Sequence, residues 1–278
     1  MKKLTIAAKL SAAVVFLWLV SGIASSAIAA DAGASAIEKC IGAFESAEPI
    51  FADLRDFVGR EIEGFDDEEG EYDEQEAKDM IVSLREYAKR LDGLISGTGG
   101  QAGDPSSNEG KTLAAVREYL NMLKNISGDM DDLVAYGIDF TEALKPLSED
   151  DSFFDSYGDF ADNLYLTTTE SLELLRGINP PPYLAISHGD VIARVAEFQD
   201  FASDFQWAIY LDDPLRITSC VYRMDRIALM FEKCAENLNS DFLLQLWQAQ
   251  RRLDGPISTL RDELSAYFAL LEPKGRGA

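Results

Sequence analysis

From Ile217 the apolar residues of this chain recur at alternating steps of four and three: Ile217, Val221, Met224, Ala228, Phe231, Ala235, Leu238. The next stretch repeats the rhythm with Leu243, Leu246, Gln250, Leu253, Ile257, Leu260, Leu264, Tyr267 and Leu271. So do Val191, Val195, Phe198, Ala202, Phe205 and Ile209, and before them Phe154, Tyr157, Ala161, Leu164, Thr168, Ser171, Leu175 and Ile178. Alternating threes and fours keep one stripe on one side of an α-helix, turned to a partner helix at a shallow angle. No stretch alternates with period two long enough to make a sheet strand. The expectation is an all-α protein, an elongated up-down bundle or pair of bundles with heptad-type packing.

The pattern breaks into about eight helices, near 34–64, 73–96, 109–127, 129–147, 152–177, 183–211, 214–239 and 241–271. Asp213-Pro214 reads as a helix start, with Asp at the cap and Pro in the first turn. Ser96 to Gly110, "SGTGGQAGDPSSNEG", reads as a flexible loop. Ile178 to Leu184, "INPPPYL", reads as a rigid joint, because prolines cannot continue a helix. That joint divides the expected domains into an N-terminal bundle, 31–178, and a C-terminal bundle, 179–278, or marks a turn within one continuous core. Pro49 and Pro256 fall inside helical patterns, where kinks or breaks are expected. The segments from Leu84 and Val116 share Arg-Glu-Tyr and a following leucine at a 32-residue offset, an echo that bundle helices also produce by chance. The heptads resemble those of spectrin-type and chemoreceptor-type bundles in architecture alone, a likeness that carries no functional residue across.

Residues 1–30 have the layout of a secretory signal peptide. Lys2, Lys3 and Lys9 are followed by the apolar run Leu10 to Ile23 and the small-residue site Ala27-Ile28-Ala29. An uncleaved anchor is the competing reading, since Leu10 to Ala30 carries no charge. Ser25 and Ser26 weaken its far half. The expectation is an extracytoplasmic, periplasmic or secreted bacterial protein with no membrane segment after cleavage. Without the three lysines of the leader, 22 basic residues face 49 acidic ones, and 22 − 49 gives −27. That charge repels phosphate backbones and anionic lipid surfaces, so nucleic acid is not an expected partner. The 47% hydrophobic content still provides for a packed core.

Catalytic parts are scarce. The only histidine, His188, stands in "AISHGDV", read as a helix cap or a solvated surface residue. Its neighbours Ser187 and Asp190 are too close in sequence to converge on it as a triad. One histidine cannot build a His-rich zinc site, and no haem-attachment, nucleophile-elbow or phosphate-loop motif occurs. Cys40, Cys220 and Cys234 lie in a compartment that permits disulfides. Cys220 and Cys234 share a helix about 21 Å apart, too far to bridge. Cys40 could therefore bond to Cys220, to Cys234 or to neither. Trp207 and Trp247 lie beside the stripes, where packing accounts for them. Paired carboxylates leave a secreted acid–base hydrolase as a lesser enzyme reading.

Eleven carboxylates crowd Gly59 to Met80. Asp66, Asp67, Glu68, Glu69, Glu71 and Asp73 miss EF-hand spacing, because the glycine arrives one place early. Weak calcium binding, a basic partner and a solvated connector all remain open for this run. The clusters Asp129-Asp131-Asp132 and Glu149-Asp150-Asp151 read as charges favouring helix N-termini. No cofactor, metal or catalytic residue is assigned. The first functional expectation is binding or scaffolding, with self-association or a helical protein as partner. The alternative is a small-molecule or cation sensor or carrier, with Thr168, Ser171 and Gln250 as polar groups turned into the core.

Overall fold

The computed structural model describes residues 36–64, 74–98, 107–148 and 156–271. The leader, the acidic run 66–73 and the cluster 149–151 lie outside these residues. The described chain is helical throughout its elements: α1 (Ala36–Gly64), α2 (Glu74–Gly97), α3 (Asn108–Ser148), α4 (Tyr157–Gly177), α5 (Ala185–Tyr210), α6 (Pro214–Arg252), a π-turn (Leu253–Ile257) and α7 (Ser258–Leu271). Because α6, the π-turn and α7 run on without a gap, these make six rods, not the eight expected.

Both missing breaks have a physical reason. Gly128 stands inside α3, where glycine costs backbone entropy but removes no hydrogen bond. Beside it the Ser127 hydroxyl donates to the Leu84 carbonyl of α2 at 2.6 Å, which ties the middle of α3 to a neighbour. Asn239-Ser240-Asp241 contains neither Gly nor Pro, and the Ser240 hydroxyl satisfies the Glu236 carbonyl within α6 at 2.7 Å. Pro49 does not interrupt α1. Pro256 sits in the π-turn, whose widened loop absorbs a residue without an N–H while Leu253 and Ile257 stay buried.

The aspartates after Gly128 are thus mid-helix, and they compensate no helix N-terminus. Asp131 accepts from Arg85 at 3.1 Å and Asp129 from Arg252 at 2.7 Å. Both are largely exposed ion pairs, worth roughly 0–1 kcal/mol each.

Two compact units emerge, 132–244 on one hand and 36–131 with 245–271 on the other. The proline joint lies inside the first unit. There α4 and α5 fold back on each other, the Ile178 N–H closing on the Leu175 carbonyl at 3.2 Å and the Leu184 N–H on that of Pro181 at 2.9 Å. The next turn, between α5 and α6, holds Asp212 at a left-handed φ of 49°. Asp213 then caps α6 as expected, its carboxylate accepting the N–H groups of Leu215 and Arg216 at 3.1 Å.

The stripe of α5 is buried at Val191, Val195, Ala202 and Phe205. Ala161, Phe201, Phe205, Cys220 and Ile227 join α4, α5 and α6 in one apolar cluster. The stripe expected on α6 is only half covered. Ile217 and Phe231 pack against the cluster, whereas Val221 and Met224 are 55% and 39% exposed. Apolar residues occupy too much of this helix's circumference for one side of neighbours to cover. In the second unit Phe44, Phe51 and Tyr119 form ring contacts at 5.4 and 6.5 Å, and Phe268 of α7 closes on Phe44 at 5.4 Å.

Candidate functional site

His188 is neither a cap nor solvated. It lies in the first turn of α5 and is only 3% exposed. Leu184, His188, Val191 and Val195 continue the α5 stripe backwards in steps of four, three and four, so packing draws the imidazole inward. Nε2 lies 3.1 Å from the Leu175 carbonyl, an acceptor, so Nε2 carries the proton. Nδ1 is then the acceptor, and the Tyr136 phenol donates to it at 3.1 Å. Tyr136 also meets Phe140 and Phe242 at ring distances of 5.6 and 5.7 Å. Burial lowers the His188 pKa, against a smaller opposite effect from Leu175, and burial pushes the Tyr136 phenol upward. Next to it the Ser187 hydroxyl donates to Asp241 of α6. Both imidazole nitrogens are engaged within the protein, so this constellation locks α3, α4 and α5 together; it is not built to move a substrate's proton.

The polar stripe residues divide in a similar way. Thr168 is fully buried and returns its hydroxyl to the Leu164 carbonyl of its own helix at 2.5 Å. Ser171 is fully buried, and its hydroxyl has no hydrogen-bond partner among the described residues. The same holds for Oε1 of Gln250. Thr168 and Ser171 belong to one compact unit and Gln250 to the other. The cleft that opens in the first of these units has a volume of about 420 Å³ and lies between α3 and α4. Glu142, Lys145, Asn163, Thr167 and Glu170 line it, mixed in sign and open to solvent. Small-molecule sites are mostly apolar and enclosed, and this one is neither.

In the second unit Arg261 of α7 grips Glu48 of α1 at 2.8 and 2.6 Å, with its guanidinium 5.2 Å over the Phe51 ring. The Tyr119 phenol completes the knot by donating to Glu48 at 3.1 Å. Glu61 and Glu76, at the two ends of the acidic run, are 4% and 9% exposed. Burial pushes the Glu61 carboxyl up to about 8; Arg60 opposes this and Glu76 adds to it. Glu61 is therefore a neutral acid at pH 7. No group of three or more His, Cys, Asp or Glu side chains gathers to hold a metal ion among the described residues.

The three cysteines are free thiols. Burial raises all three above the usual thiol range, so they are not poised as thiolates. The tryptophans are not packed away: Trp207 is 59% exposed and Trp247 46%. Trp207 belongs to a larger feature. Of the seventeen large apolar side chains exposed among the described residues, eight fall between 207 and 229. They are Trp207, Tyr210, Leu211, Leu215, Val221, Tyr222, Met224 and Leu229. Monomeric surfaces usually scatter such residues singly, and this stretch departs from that pattern. No helix among the described residues is long and apolar enough to cross a membrane.

No family model, no curated protein and no solved structure matches this chain.

Sequence reasoning missed the buried His188, although Leu184 and Val191 at helical spacing around it were a readable signal. It also missed Glu61, which shares the buried face of Leu54, Val58 and Ile62. The exposed face of α6 could not be read, because its residues look like any other core stripe.

Proposed function

We propose that this protein works by docking: an exported, acidic helical bundle that presents the end of α5 and the first half of α6 to another helical surface. The observation that carries the reading is the crowding of large exposed apolar side chains into 207–229. The leader-like residues 1–30 support export. The tightest polar constellations support a non-catalytic role, since His188, Glu48 and Arg261 have their hydrogen-bonding groups engaged inside the protein. A carrier role has weaker support, because the α3–α4 cleft is open and mixed in charge.

Photo-crosslinking in the producing cell tests the reading. A photoreactive residue at Leu229 is expected to trap one discrete adduct, and the same group at Val82, exposed in the other unit, is expected to trap none. Absence of any adduct at Leu229, or equal smears at both positions, overturns the docking role.

A further inference from the structure

Which partner the α6 face takes is written in its charges. Leu215, Tyr222 and Leu229 are seven residues apart, two helical turns, and stand 82%, 74% and 67% exposed. They make one ridge. On one side of it, three residues after each ridge position, lie Thr218, Asp225 and Glu232; on the other, four residues after, lie Ser219, Arg226 and Lys233. Positions three and four residues on fall on opposite flanks of a helical ridge. All six flank residues are exposed. Among the described residues Asp225, Arg226, Glu232 and Lys233 enter no ion pair within this unit, whereas Arg223 and Arg216 are held by Asp204 and Asp213.

One flank is thus acidic and the other basic, and the ridge between them is apolar. From 214 to 240 four basic residues face three acidic ones, a net charge of +1 within a chain of −24. Elsewhere two copies of so acidic a chain repel; on this stretch they do not.

We propose that the first half of α6 pairs with the same segment of a second copy, the two helices parallel about a two-fold axis. Ridge meets ridge, and the two-fold brings the acidic flank of each copy onto the basic flank of the other. Asp225 then faces Arg226 of the second copy, and Glu232 faces its Lys233, at matching heights. An antiparallel pair would set acid against acid and base against base, so the charges select the parallel arrangement. The contact is isologous and closes after two copies. Three apolar layers are a small seam, which makes the dimer reversible and dependent on concentration. This inference rests on the docking reading and names its partner.

Sedimentation of the protein as recovered after export tests it. The expected result is a monomer–dimer equilibrium that Tyr222→Glu and Leu229→Glu each shift to monomer, with helical circular dichroism unchanged. The doubly substituted protein D225R/E232K has two basic flanks, and R226E/K233E has two acidic ones. Each alone is expected to be monomeric, and an equimolar mixture is expected to recover the dimer. Tyr222→Cys is expected to form a disulfide between copies under mild oxidation, because a parallel two-fold brings position 222 onto itself. A wild-type protein that stays monomeric at its highest soluble concentration overturns the proposal. So does a dimer indifferent to Tyr222→Glu and to both charge reversals. The two readings fail separately: a monomeric protein whose Leu229 adduct in the cell contains a different protein leaves docking standing and removes only the second copy.

Discussion

The Tyr136 phenol donates to Nδ1 of His188 at 3.1 Å, because the Leu175 carbonyl on the other side can only accept and so holds the proton of the protein's only histidine on Nε2. The opposite nitrogen donates to the Leu175 carbonyl at the end of α4, which also accepts the Ile178 N–H. A proton added at Nδ1 would have to displace the phenol's, deep among Phe140 and Phe242.

That geometry sets a sign for acid. The folded pKa of His188 lies below its ordinary value of 6.5. Between the two values the unfolded chain binds a proton that the folded chain refuses, so stability falls as pH drops through that window and is intact above it. Urea unfolding at about pH 7.5 and about pH 5, with Glu61→Gln in both proteins to remove its opposite response, is expected to show a loss that His188→Gln abolishes. Equal losses in both proteins would remove His188 from the acid response.

Glu61 works in the opposite direction. Its folded pKa of about 8 lies above the ordinary 4.5. Folded Glu61 keeps its proton while the unfolded residue ionises, so stability declines from about pH 4.5 upward until both forms are ionised. Glu61→Gln is expected to raise the melting temperature by a few degrees at pH 7 and to leave it unchanged near pH 4. A melting temperature that drops at pH 7 would show that the ionised carboxylate is the form the fold needs.

The buried hydroxyl of Ser171 gives no hydrogen bond in return for its loss of water. Ser171→Ala removes the unmet group and improves helix propensity in α4, and is expected to stabilise by about 1 kcal/mol. Destabilisation in thermal or urea unfolding would mean that the hydroxyl has a partner in solution.

Gly128 tests the continuity of α3. An added Cβ there meets no other atom within 4 Å, and the residue is helical. Gly128→Ala is expected to stabilise by roughly 0.5–1 kcal/mol, since the substitution lowers the entropy of the unfolded chain and fills no occupied space. A loss of stability on urea unfolding would restore a break between two shorter helices.

The outer rhythm of the fold was readable residue by residue. Val191, Val195 and Ala202 share one face of α5 by their spacing, and that face is buried. Asp213 and Pro214 announced the start of α6 by local chemistry alone. The breaks at Gly128 and Ser240 were misread because helix continuity there depends on what surrounds the chain, namely the Ser127 hydroxyl on Leu84 and the burial of Leu238 and Phe242 on either side of Ser240.

The amino-acid order, through period and composition, determined that the protein is helical, which stripes are apolar, and that its net charge is strongly negative. Those properties follow from spacing along one helix and from summed charge, which need no neighbours. Tertiary packing decided the rest: that His188 is sealed against Tyr136, that Glu61 holds a proton, and that Leu215, Tyr222 and Leu229 remain in water. Each of these depends on which side of a helix another helix covers, and an apolar stripe carries no mark saying whether its cover comes from the same chain.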